Sequence, residues 1–150
     1  MLEGPEGFGV RVWEAVIVLA NGCFDPLHYG HLQYLKAAKA LGGWLIVSVT
    51  ADHKVNKGPG RPIFGEQQRA EMVRSLRCVD SVVIVEHAVE AIQLLKPDIY
   101  VKGAEYEGRL PEKSLVESYG GRVVFTKTPI YSSTKLITGG YLQAEGLGTR

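Results

Sequence analysis

The stretch Ala15-Val16-Ile17-Val18-Leu19-Ala20, followed at once by Asn21-Gly22-Cys23-Phe24-Asp25-Pro26-Leu27-His28-Tyr29-Gly30-His31, decides the architecture. Six apolar residues without polar alternation describe a parallel strand buried on both faces. Asn21-Gly22 predicts a turn. From His31 to Leu41, Leu32, Leu35 and Leu41 fall near one face with Ala38 between them, and Gly42-Gly43 lies just past the end. That pattern predicts a helix with a glycine stop.

The same alternation continues outward. Trp44–Val49 reads as a second strand, and Asp52–Ile63 as a loop rich in Lys, Gly and Pro. Glu66–Arg77 reads as a helix with Met72, Val73 and Leu76 facing inward. Val82–Val85 is a third strand, Ala88–Leu95 a helix stopped by Pro97, and Ile99–Val101 a fourth strand. Pro111–Tyr119 has proline at its start and Gly120-Gly121 after its end, the usual helix asymmetry. Val123–Phe125 is a fifth strand, and Ser132–Thr138 begins a last helix. Strands alternating with helices predict an α/β fold, a Rossmann-like doubly wound sheet of five parallel strands in a single domain. The predicted divisions are an N-terminal arm over 1–14, the domain over 15–138 and a C-terminal tail over 139–150. Right-handed crossovers collect the strand ends and helix starts along one edge, where ligands bind at the point of reversed strand order.

The unusual residues lie just after the strands. His28 and His31 flank Gly30 where a helix begins, and a helix start offers unpaired N–H groups and a partial positive charge to phosphate. Both imidazoles can add N–H donors, and Gly30 permits close approach of a ligand. Structural histidines, one of them capping the helix, are the plain alternative. Zinc is disfavoured because no third ligand stands nearby. Lys54, Lys57 and Arg61 sit among glycines and prolines, as in a lid that closes over phosphates or in a solvated turn. Lys102-Gly103 follows the fourth strand on the same edge. Ser132, Ser133 and Thr134 open the last helix, where hydroxyls cap it or grip phosphate.

Composition narrows the field. The 150 residues are about one domain's worth, 45% are apolar, and the net charge is +1. A near-neutral chain argues against non-specific nucleic-acid binding. The longest apolar run is too short to span a membrane, and acidic residues precede it, unlike a signal peptide. Cys23 and Cys78 stand far apart in no metal-like spacing, as expected of two reduced, buried thiols in a cytoplasmic protein.

The decapeptide Gly22–His31 resembles the HxGH signature of the nucleotidyltransferase superfamily, which includes cytidylyltransferases and several adenylyltransferases. The resemblance continues through Glu66-Gln67-Gln68-Arg69 and Leu76-Arg77-Cys78-Val79-Asp80. It extends to Pro97-Asp98-Ile99-Tyr100-Val101-Lys102-Gly103-Ala104-Glu105-Tyr106 and Tyr131-Ser132-Ser133-Thr134-Lys135-Leu136-Ile137. It is nearer to the nucleotidyltransferase half of bacterial ADP-heptose synthases than to glycerol-3-phosphate cytidylyltransferases. It departs from the latter at Lys127-Thr128-Pro129-Ile130, where they carry R-T-E-G.

The resemblance implies transfer of a nucleoside monophosphate from an NTP, ATP ahead of CTP, to a sugar 1-phosphate of heptose type, with release of pyrophosphate. Glycerol 3-phosphate or another alcohol phosphate is the alternative acceptor. A non-catalytic nucleotide sensor and a tRNA-synthetase fragment are the alternatives of other classes. His28 and His31 are the implied catalytic residues. The implied nucleotide contacts are Gly22, Cys23, Phe24, Gly30, His31, Lys57, Arg61, Lys102, Gly103, Glu105, Tyr131, Ser132, Ser133 and Thr134, with Lys54 and Lys57 interchangeable. Asp25 and Arg77 are expected to orient the acceptor. No metal ligands are expected from the protein, Mg²⁺ coming with the triphosphate. A sugar-kinase domain often shares the chain in heptose enzymes, so here the sugar phosphate is expected from a separate enzyme. A homodimer is the expected assembly.

Overall fold

The computed structural model describes residues 16–127 and Ile137. Five strands, β1 (Ile17–Gly22), β2 (Trp44–Thr50), β3 (Ser81–Val85), β4 (Ile99–Gly103) and β5 (Arg122–Thr126), form one parallel sheet in the order β3-β2-β1-β4-β5. Four helices connect them: α1 (Tyr29–Lys39), α2 (Glu66–Arg74), α3 (Ala88–Leu95) and α4 (Lys113–Ser118). The order reverses between β1 and β4, so the doubly wound prediction holds and the crevice opens there.

Both faces of the sheet are covered. Val18, Ala20, Val47 and Val101 pack with Leu35 and Ala38 of α1 and Ala70 and Val73 of α2. Leu19, Ile46 and Tyr100 pack with Ala91 and Ile92 of α3 and Val116 of α4. Successive strand residues thus feed opposite cores, which is why the central strands read as unbroken apolar runs.

Several boundaries differ from the sequence reading. β1 continues through Asn21 and Gly22 instead of turning there, because both pair with β2, opposite Ser48 and Val49. The Asn21 side chain is satisfied in place, donating to Ser48 Oγ at 2.8 Å. α1 begins at Tyr29 because His28 itself is the cap. It ends before Leu41, which is exposed instead of inward-facing. α2 stops at Arg74, three residues early, and Met72 is only half-buried. Asp52–Lys54 forms one 3₁₀ turn within the predicted loop. Cys23 and Cys78 are free but only partly buried. The arm, the last helix from Ser132 and the tail lie outside the described residues, apart from Ile137.

Candidate active site

His28 and His31 cap α1 reciprocally. The backbone N–H of His31 donates to His28 Nδ1 at 3.3 Å, and that of His28 donates to His31 Nδ1 at 3.2 Å. The rings stack with centroids 3.7 Å apart and 18° between planes. Each Nδ1 uses its lone pair on a backbone donor, so in the neutral ring the proton sits on Nε2. Burial, then the neighbouring His28 and Lys57, push the His31 pKa down to about 3. Burial and Lys57 lower that of His28 as well. Both rings are therefore neutral Nε2–H donors at pH 7, and Lys57 stands within electrostatic reach of both.

Gly22 and Phe24 shape the floor. Phe24 is buried in a left-handed conformation at φ 54°. Its ring lies so close to Gly22 that a Cβ there would meet it at 2.9 Å. The same ring meets His31 edge-on at 4.9 Å between centroids. Gly30 is buried in the first turn of α1.

Asp25 and Arg61, read from the sequence as acceptor and phosphate ligands, bind each other. Arg61 Nε donates to Asp25 Oδ2 at 2.8 Å, with both side chains buried. Asp25 Oδ1 accepts the amides of Ile63 and Phe64 at 2.7 and 3.2 Å. Burial alone would raise the Asp25 pKa, but Arg61 and these two amides outweigh it and hold it below the ordinary carboxylate value. The pair therefore anchors the end of the basic loop to the histidine loop. Lys54 and Lys57 stay exposed on that loop.

Arg69 was legible only as part of a motif, not as an organiser of the site. Its side chain is fully buried. It donates to the carbonyls of Phe64, Cys23 and Thr50 at 2.8 Å each, and to Asp52 Oδ1 at 2.7 Å. One guanidinium thus ties together the segments after β1 and β2 and the one before α2. Four of its five N–H donors are used, which offsets much of the cost of burying the charge.

Across the crevice, Lys102 is 9% exposed, with its ammonium 4.2 Å from the centre of the Tyr106 ring. Burial lowers its pKa, only partly countered by Glu112 and Glu105. Glu105 folds back over Gly103, where a Cβ would come within 2.1 Å of its carboxylate. Arg77 does not join this group. It lies in the turn between α2 and β3, at the sheet edge opposite the histidines, so within one chain it cannot orient the acceptor as expected. Tyr131, Ser132, Ser133 and Thr134 lie outside the described residues.

A helix start capped by two N–H-donating imidazoles, set in the crevice of a doubly wound sheet, defines an α/β nucleotide-binding domain. The sequence model of the cytidylyltransferase-like family matches residues 19–139. The bifunctional protein HldE of Pelobacter propionicus is 49% identical over 129 residues, 82% of this chain and 25% of that protein. HldE of Syntrophotalea carbinolica is 46% identical over 115 residues, 71% of this chain and 23% of that one. The chain spans about a quarter of the length of these curated relatives. The crystal structure of the lipopolysaccharide core biosynthesis protein from Thermoplasma volcanium superposes with a TM-score of 0.63 at 31% identity, covering 79% of this chain and 99% of that one. The chain belongs to the cytidylyltransferase-like family, and it is a nucleotidyltransferase. Among the described residues no helix is long and apolar enough to cross a membrane.

Proposed function

We propose that the enzyme transfers the adenylyl group of ATP to a sugar 1-phosphate of heptose type and releases pyrophosphate. The observation that carries this reading is the reciprocal histidine cap, which spends both Nδ1 atoms on the backbone and leaves both Nε2–H groups as neutral donors. An acceptor phosphate oxygen attacks the α-phosphorus in line. The new O–P bond forms as the bond to the β-phosphate oxygen breaks, and pyrophosphate leaves with the electron pair. Two anions must meet, so positioning and charge neutralisation dominate the chemistry. His28 and His31 donate to α-phosphate oxygens as charge builds on them. Gly22, Cys23 and Phe24 on one side and Lys102, Gly103 and Glu105 on the other bound the nucleotide. Lys57 and the Ser132–Thr134 segment meet the β- and γ-phosphates. Arg61 serves through Asp25, fixing the base of the loop that carries Lys57.

Among the described residues no three His, Cys, Asp or Glu side chains are grouped to cage a cation. Mg²⁺ would arrive with the triphosphate substrate and offset the charge of its phosphates. The acceptor assignment draws on the HldE relatives and on the lipopolysaccharide role in the name of the Thermoplasma protein. These substrates are those of a cytoplasmic enzyme, and a homodimer is its expected assembly.

The test is pyrophosphate release with heptose 1-phosphates, hexose 1-phosphates and glycerol 3-phosphate, each with ATP and with CTP. The expected outcome is the highest kcat/KM for ATP with a heptose 1-phosphate, because a pocket built for several hydroxyls rejects ligands lacking them. Glycerol 3-phosphate with CTP ahead by about tenfold or more would replace this reading with the alcohol-phosphate one. Binding of triphosphate without turnover of any acceptor would make the chain a sensor module.

A further inference from the structure

The geometry points to Tyr34 as a wedge that holds open the nucleotide crevice between β1 and β4. The inference deepens the reading above and rests on its placement of the nucleotide between Gly22 and Gly103. β1 pairs with β2 over all six of its residues, and β4 with β5 over all five. Between themselves β1 and β4 pair only at Val18↔Ile99, Leu19↔Tyr100 and Ala20↔Val101. Both strands then continue, through Asn21 and Gly22 and through Lys102 and Gly103, without meeting.

The ladder stops for an identifiable reason. The next pair at this register is Asn21 with Lys102. In a parallel ladder the Asn21 N–H would then donate to the carbonyl of the residue before its partner, Val101. The Tyr34 hydroxyl occupies that place. It accepts the Asn21 N–H at 3.4 Å and donates to the Val101 carbonyl. Both backbone groups are satisfied while the strands stay apart, so no unpaired polar group drives the sheet to close. The ring beneath is packed against the core residues of the α1 face. Burial raises the pKa of this hydroxyl well above the ordinary tyrosine value, so the donor proton stays in place through the neutral range.

Tyr34 lies one turn after His31 on α1. The same helix thus presents the two imidazoles at its start and, three residues on, the group that keeps the adjoining strands parted. Tyr34 touches no reacting atom in this scheme, so it is a positioning residue. Its removal acts on the width of the crevice and hence on nucleotide affinity, leaving the donors to the transition state where they are.

The discriminating variant is Tyr34→Phe, which keeps the ring and deletes the wedge. Without the hydroxyl, the Asn21 N–H and the Val101 carbonyl are left facing each other, and the strands are free to extend their ladder by one bond. Titration calorimetry with Mg-ATP and Mg-CTP should show the Kd of the preferred triphosphate rising about tenfold. The kcat at saturating nucleotide should stay within about twofold, and Tm should not fall. The Asn21 amide should exchange more slowly with solvent, having gained a ladder bond. A merely structural tyrosine predicts the reverse: a lower Tm, faster exchange at Asn21, and kcat and Kd worsening together. Either that pattern or an unchanged Kd overturns the proposal. Because the calorimetry needs no acceptor, it still judges Tyr34 if the panel of sugar phosphates fails, and the two failures are told apart.

Discussion

At His28 and His31 a backbone demand and a chemical demand fall on the same atoms. The first turn of any helix has N–H groups without partners, and here the imidazole Nδ1 atoms supply the acceptors. Capping then fixes the tautomer that the chemistry needs. Replacing either histidine by alanine removes one cap, at a cost of about 1 kcal/mol, and, on the proposed function, one donor to the transition state. The expected result is a folded variant whose kcat is lower by about 10²–10³. Near-normal kcat in both single variants would sink the assignment. The same residues set an acid limit. An unfolded histidine titrates near 6.5, whereas His31 in the fold is pushed down to about 3. Below about pH 6.5 the unfolded chain binds a proton that the native chain refuses, so stability is full above that value and falls as pH drops. Urea midpoints should decline from about pH 6.5 to about pH 5, above the range where ordinary carboxylates titrate, and His31→Ala should flatten the decline.

At the scale of elements, the loop between β2 and α2 is pinned at its end by one buried ion pair. Asp25 carries Arg61 on one oxygen and the amides of Ile63 and Phe64 on the other. Asp25→Ala removes the carboxylate from the buried Arg61 Nε and from the two amides, which should cost about 3–5 kcal/mol. Hydrogen exchange should quicken at Ile63 and Phe64, while α3, on the far face of the sheet, keeps its protection. Unchanged exchange at those two amides would mean that the loop is held by other contacts. None of this pairing was legible in the sequence, because Asp25 and Arg61 lie 36 residues apart and each alone reads as a ligand for substrate. Arg69 escaped for a related reason. Arginine is rarely buried without a partner, and most of its partners here are backbone carbonyls, which carry no side-chain signal. The strands and helices were legible because burial on both faces leaves unbroken apolar runs. Their ends were not, since Asn21 and Gly22 are held in β1 by pairing across to Ser48 and Val49, not by their own polarity.

For the molecule as a whole, the order β3-β2-β1-β4-β5 provides one switch point, and the groups with chemical potential converge there from α1, the basic loop and β4. The parallel α/β class was readable from alternation. The strand order was not, because alternation does not say which strands are neighbours. The groups gathered at the switch point bear on the route of the reaction. A double displacement would need a nucleophile in the crevice to hold the nucleotidyl group between two steps. Asp25 is unsuited, since both of its oxygens are engaged by Arg61 and backbone amides. The histidines are unsuited as well. The unprotonated nitrogen of each neutral ring is Nδ1, and that atom is turned to the backbone as the helix cap. The imidazole N–H donors and the cations on the crevice side stabilise charge, and the nucleophile types left among the described residues there are the Cys23 thiol and the Glu105 carboxylate. On the proposed function those two groups bound the nucleotide and the acceptor phosphate attacks the α-phosphorus directly, so one in-line displacement inverts its configuration. Turnover of a single diastereomer of ATP thiolated at the α-phosphorus should give a nucleotide sugar of inverted configuration. Net retention would require two displacements through a covalent enzyme intermediate. It would then assign the nucleophile to Cys23 or Glu105, or oblige one of the histidines to release its cap during the cycle, contrary to the role the fold gives it.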